Sequence, residues 1–211
     1  MIMKISVNTG KQNKIHILLD GEYAFTVDAE YWYSSPYCSV KNIDAEEELA
    51  AFYEAVGSRA AFIAGLRILS YHDQSEKEMV IKLCQKGFKN EYAVSAVEKL
   101  CEYGYVNDGR YAENLAEKLI RTKGMSIRGI KSELVRKGIS REIADNVIES
   151  LDFDPILRII ELLNTKYTRY LNDEKGIKKT VAALQRLGYG WSDIKSALRN
   201  VEAETEDFDD V

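Results

Sequence analysis

The feature that most constrains this chain is a glycine that returns three times at the end of an amphipathic segment, at Gly87, Gly138 and Gly188, with intervals of 51 and 50 residues. Four positions before each glycine stands a leucine, Leu83, Leu134 or Leu184, and directly after it a bulky apolar residue, Phe88, Ile139 or Tyr189. The register continues downstream through Ala93, Ala144 and Ile194, then Val97, Ile148 and Leu198, then Leu100, Leu151 and Val201. A period near 50 residues that preserves apolar spacing marks tandem structural units, each one supersecondary module.

Punctuation around the glycine defines the unit. Ser75 and Ser126 each lie twelve residues before it and suit a helix N-cap, with Glu78 completing a capping box in the first case. Gly87, Gly138 and Gly188 then end that helix as left-handed C′ residues. A further helix follows, with Ser140 and Ser192 as its expected caps in the second and third units. An earlier helix opens each unit, carrying Phe62, Leu66 and Leu69, then Tyr111, Leu115 and Leu119, then Ile156, Ile160, Leu163 and Tyr167, all at spacings of three and four. The third copy is the most divergent, with Gly176 in place of the serine cap and Thr180 where Met79 and Ile130 stand. Asp154 before Pro155 reads as its linker and cap.

Ahead of the repeats, Lys4 to Asn8, Lys14 to Leu19 and Glu22 to Val27 alternate as short strands, the last two joined by an Asp20-Gly21 turn. Asp44 with Glu47 marks a helix start near Ala45. Only two prolines, Pro36 and Pro155, interrupt the chain, which favours long helices. The expected fold is therefore mainly α: tandem three-helix repeats forming a curved elongated array, with a small N-terminal β-meander plus helix. The expected segments are 1–57 for the meander and helix, 58–106, 107–152 and 153–201 for the three repeats, and 202–211 for an acidic disordered tail.

No catalytic constellation is visible. His16 and His72 stand apart, the three cysteines Cys38, Cys84 and Cys101 are too distant for a CxxC site, and no phosphate loop or GxSxG motif occurs. No catalytic residue, metal ligand or cofactor is expected, and no enzyme activity. With no apolar leader region near Met1 and no run approaching 18 apolar residues, the expectation is a cytoplasmic protein without membrane contact. The tyrosines Tyr103, Tyr105 and Tyr189 read as staples at helix ends rather than stacking platforms.

Charge is more informative. The net −5 conceals a segregation: residues 1–57 sum to −5, residues 202–211 to −6, and the body between them to +6. From Lys118 to Arg141 eight basic residues, Lys118, Arg121, Lys123, Arg128, Lys131, Arg136, Lys137 and Arg141, face one acid, Glu133. Such a run serves equally as a solvated face or as a docking surface for phosphates or acidic protein. A thinner patch combines Lys175, Lys178, Lys179, Arg186, Lys195 and Arg199.

Leu69, Ser75, Glu78, Leu83, Lys86-Gly87-Phe88, Leu100, Gly104-Tyr105-Val106-Asn107-Asp108, Tyr111-Ala112 and Lys137-Gly138-Ile139 together resemble the signature of the RecX family of bacterial recombination regulators. The Asp20 to Phe25 stretch is similar to the N-terminal extension of its Gram-positive members. His72 and Gln74 depart from the family's usual arginines. The resemblance implies a non-catalytic, usually negative regulator of the RecA recombinase, bound to the recombinase filament on single-stranded DNA and modulating recombination and DNA repair. It is expected to act as a monomer. Two alternatives remain open on the residues alone: a stand-alone helical DNA-binding module, and a generic protein-interaction scaffold.

The charge segregation carries one test. An acidic tail of −6 that competes with nucleic acid for a body of +6 should weaken DNA binding at low salt. Deleting residues 202–211 is expected to tighten that binding in a salt titration, and unchanged affinity would reduce the tail to a solubilising end.

Overall fold

At all three recurring glycines the backbone turns left-handed, with φ of 92° at Gly87 and Gly138 and 96° at Gly188. A side chain would be strained there, so the turn itself selects glycine. The next residue then bonds back to the repeat leucine: Phe88 N–H to Leu83 O at 3.3 Å, Ile139 N–H to Leu134 O at 3.1 Å, and Tyr189 N–H to Leu184 O at 3.2 Å. The glycine N–H donates in turn to Cys84, Val135 or Gln185. These paired bonds satisfy carbonyls that a helix end leaves open, and they fold the apolar residue after the glycine onto the leucine.

The computed structural model describes residues 2–209, with side chains as far as 201. The chain divides into two compact units, 1–107 and 108–211. In the first, β1 (Met3–Thr9), β2 (Lys14–Leu19) and β3 (Glu22–Asp28) form an antiparallel meander, and a two-residue β4 (Asn42–Ile43) adds to β1, giving the order β3-β2-β1-β4. Asp20 and Gly21 both have positive φ, 50° and 87°, the geometry that matches the twist of a tight hairpin. Beyond β3, Asp28 caps the short α1 (Ala29–Ser34) by accepting from Tyr31 N–H. Neither α1 nor β4 was expected, because six and two residues are too few to display a period.

The long α2 (Glu46–Leu69) starts as expected next to Ala45, but no side chain caps it, so the anticipated Asp44 capping box does not form. One stretch of α2, with Phe52, Val56 and Ala60, completes the core under the sheet together with Ile15, Ile17, Val27 and Trp32. The next stretch, with Ala61 and Phe62, packs on α3 (Glu76–Gln85) and α4 (Asn90–Glu102) around Met79, Leu83, Ala96 and Leu100. The expected boundary at 57/58 thus falls inside a continuous helix. Gly57 does not break it, because the ring of Tyr92 lies where a Cβ would be, 2.7 Å away, and helps to hold the helix there. Burial of α2 against β3 on one stretch and α4 on the next also explains why it is apolar enough to pass for a membrane span by composition.

In the second unit α5 (Asp108–Lys118) ends in a π-turn over Leu119–Lys123, and α6 (Ile127–Arg136) and α7 (Arg141–Glu149) complete the first three-helix core around Ile130, Leu134, Ile139 and Ala144. Ser126 and Ser140 cap as expected, accepting from Gly129 and Ile143 N–H. The stripe of α5 is centred one residue later than its large side chains suggest: Ala112 and Ala116 are fully buried, while Tyr111 and Leu115 are half-buried. α8 (Pro155–Leu162), capped by Asp154, runs into a second π-turn over Leu163–Tyr167, followed by α9 (Glu174–Arg186) and α10 (Trp191–Asp209) around Ile159, Leu163, Leu184 and Ile194.

Three expectations are corrected here. Ser192 lies inside α10, which starts one residue earlier, and its hydroxyl bonds Asp193 rather than capping the helix. The third unit, which has Gly176 where the others have a serine, uses Asp173 to cap α9. The expected disordered tail, 202–211, is helical in backbone to Asp209, since no glycine or proline follows Gly190 and alanine and glutamate favour helix; residues 210 and 211 lie outside the described residues. Tyr103 and Tyr105 are exposed at the end of α4, Tyr103 edge-on to Phe62, so only Tyr189 is a buried staple.

Gly129 on α6 tests the packing of the two halves of this unit. A Cβ there would stand 2.4 Å from Leu187 O, a backbone atom that cannot swing aside. Gly129→Ala should therefore lower stability by about 1–3 kcal/mol despite alanine's better helix propensity. A urea melt in which the variant matches or exceeds the parent would show that the contact is not tight.

Candidate functional site

The eight basic residues of the run fall on four elements of the second unit, α5, the π-turn, α6 and α7, and all but Lys131 gather at the two ends of α6. Lys118 closes α5, Arg121 and Lys123 sit in the π-turn, and Arg128 opens the exposed face of α6 across the Gly124 turn. At the other end Arg136 and Lys137 finish α6 and Arg141 begins α7. A ten-residue helix separates these ends by about 15 Å. Between them Lys131 is tied to Asp145 of α7, and Arg136 is held by Glu133 at 2.6 Å. Lys118, Arg121, Lys123, Arg128 and Arg141 are exposed and make no ion pair among the described residues. The cluster at the π-turn is therefore the freer one. In the thinner patch Lys178 is engaged by Glu174.

What holds the cationic turn is the third helical repeat. Gly124 ends the turn with φ 65°, and the side chain of Leu162 fills the place of its missing Cβ at 2.7 Å. The buried Tyr189 hydroxyl donates to Gly124 O at 3.0 Å, and the Arg158 guanidinium donates to Ile120 O at 2.6 Å while pairing with Glu161. Ser126 N–H donates to Leu187 O at 3.0 Å, and Gly188 lies so close that a Cβ would meet Ser126 Oγ at 2.5 Å. Arg121 and Lys123 are thus displayed on a turn whose backbone carbonyls are already bonded from behind, which lowers the ordering cost of using them. Sequence periodicity missed Arg158 altogether. The one available signal for Tyr189 is that it alone, among Phe88, Ile139 and Tyr189, carries a hydroxyl that must find a partner when buried.

Elsewhere, His16 Nδ1 shares a 2.7 Å hydrogen bond with Thr26 Oγ1, and of the cysteines Cys38 is exposed while Cys84 and Cys101 are half-buried. No group of three or more His, Cys, Asp or Glu side chains gathers to hold a metal among the described residues.

Residues 61–100 match the family model described as RecX, first three-helix domain, and residues 107–148 match the model described as RecX, second three-helix domain. The chain is 31% identical to regulatory protein RecX of Caldanaerobacter subterraneus subsp. tengcongensis over 94% of its own length and 98% of that protein's. It is 28% identical to regulatory protein RecX of Clostridium beijerinckii over 97% of this chain and 98% of that one. Its fold is similar to a crystal structure of regulatory protein RecX, with a TM-score of 0.65 at 24% identity over 93% of this chain and 99% of that chain. RecX from Lactobacillus salivarius gives 0.59 at 23% over 71% and 99%.

Burial drives the Tyr189 hydroxyl up from its ordinary value of 10.0 to about 12. Because the folded value is raised, the bond to Gly124 contributes fully below pH 10 and is lost as pH rises through about 12, where a phenolate could no longer donate. An alkaline titration of stability should fall across that window. Tyr189→Phe should start about 1 kcal/mol lower and lose part of the fall; an unchanged alkaline limb in the variant would show that Tyr189 is not its source.

Proposed function

Since this chain belongs to the RecX family of regulatory proteins, we propose that it is a non-catalytic, negative regulator of a RecA-type recombinase, acting on the recombinase's filament on single-stranded DNA and so modulating recombination and DNA repair. The observation that carries this reading is the row of exposed, unpaired cations, Lys118, Arg121, Lys123 and Arg128, on a turn braced from behind by Tyr189 and Arg158. No aromatic residue occurs between 118 and 141, so the run itself offers no ring on which to stack a base. It suits contacts to phosphates or carboxylates, which depend on salt and not on sequence. A stand-alone reader of DNA sequence would need side chains placed against base edges.

The test is single-stranded-DNA-dependent ATPase and strand exchange by the recombinase, with and without this chain in stoichiometric amounts. A marked reduction is expected, and no effect would sink the proposal. Reversing charge at Arg121, Lys123 and Arg128 together should weaken the effect by roughly tenfold or more and flatten the salt dependence by about 0.7 per lost phosphate contact. The melting temperature should hold, because all three side chains are exposed and unpaired. A variant that folds and inhibits as well as the parent would move the contact elsewhere.

A further inference from the structure

The first unit contains a cleft of about 670 Å³ between β2, β3, α2 and the Gly87 turn, and its charge is one-sided. Lys14, Arg67, Lys86 and Lys89 all line it and no carboxylate does. None of the four makes an ion pair among the described residues. This is notable in a segment where residues 1–57 carry net −5: the acids are elsewhere, and Asp28, the acid opposite Lys14 in the sheet, is paired with Arg59 at 2.7 Å. Four uncompensated cations around one concavity repel one another unless an anion joins them, since low-dielectric walls focus the field.

The walls add a second chemistry. Tyr23 is 66% exposed in the cleft, yet its hydroxyl is tethered to Thr26 Oγ1 at 3.0 Å, and Thr26 is itself bonded to His16. An exposed ring held in place is a ready platform for a flat partner. On the opposite wall the Lys89 ammonium lies 5.9 Å from the Tyr53 ring centre and 5.7 Å from that of Tyr92. Lys89 is also the N-cap of the 13-residue α4, whose first turn receives no side-chain cap, so the partial positive charge of that helix end adds to the cleft. The volume falls in the range that encloses a small organic ligand.

We propose that this cleft is a nucleotide site: it takes an aromatic base on Tyr23 and the attached phosphates on Arg67, Lys86 and Lys89. The site lies in the other compact unit from the basic run of α6, and it does not rest on the recombinase reading. The ligand chemistry, a base carrying phosphate, is shared by a free nucleotide and by a nucleotide within a single strand.

Calorimetric titration of the full chain with ATP, with pentathymidylate and with inorganic tripolyphosphate separates these sources. Saturable binding of ATP assigns a free nucleotide, and binding of pentathymidylate alone assigns a strand; either supports the site. Arg67→Glu with Lys86→Glu should weaken binding by at least about tenfold. Tyr23→Ala should weaken the base-bearing probes roughly fivefold or more and leave tripolyphosphate unchanged. Arg67→Gln with Lys86→Gln, which adds no repulsion, should still cost most of the affinity, and unaltered melting of each variant shows that the fold is kept. Charge reversal at Arg121, Lys123 and Arg128 should leave ATP binding untouched, so this site and the recombinase effect fail separately. No saturable binding of ATP or pentathymidylate overturns the proposal, as does binding that ignores Arg67 and Lys86, or tripolyphosphate binding as tight as ATP with no effect of Tyr23→Ala.

Discussion

The packing behind the cationic turn of the second unit depends on one close approach of backbone to backbone, where Leu187 and Gly188 at the end of α9 meet Ser126 and Gly129 at the start of α6. Leu187 O accepts from Ser126 N–H, and the space for a Cβ at either glycine is already taken. Such proximity is available only to residues without side chains, and it sets two helical repeats in a single register. Gly188 therefore has two duties, a left-handed turn and a contact surface, whereas Gly87 has only the first, with nothing within 4 Å of its missing Cβ. The repeat is thus conserved within the chain for a local reason and reused for a long-range one.

That distinction marks what the amino-acid sequence makes legible. The turns at Gly87, Gly138 and Gly188, the serine caps at Ser75, Ser126 and Ser140, and the hairpin at Asp20-Gly21 are local events, decided by a few adjacent residues, and each is visible as a pattern. The continuity of α2 through Gly57, the two-residue β4 and the bracing of Gly124 by Tyr189 across 65 residues are not, because their causes lie in tertiary neighbours. The third repeat shows the same rule from the other side. Gly176, which stands where the other units have a serine, is in close contact with Tyr170 O, and the capping duty falls to Asp173 three residues earlier.

For the basic run, counting charges identifies the segment but not which of its cations are left unpaired. Ion pairing to Asp145 and Glu133 withdraws Lys131 and Arg136, and the helix length divides what remains into two ends. Surface pairs of this kind contribute little to stability, but they change which cations are free to meet a partner. The cluster at the π-turn remains, and it is the one whose backbone is fixed by Arg158 and Tyr189.

The two cationic surfaces differ in what they can recognise, and the difference follows from the aromatics around them. The basic run has none from 118 to 141, so its own side chains offer charge without a stacking surface, and contacts of that kind weaken with salt. In the cleft of the first unit, four cations share a concave wall with the tethered, exposed ring of Tyr23, so charge and stacking can act on the same ligand. A ligand that satisfies both must be flat at one end and anionic at the other. Free phosphate meets only half of that requirement, and so does an acidic peptide without aromatic side chains; a nucleotide meets it whole.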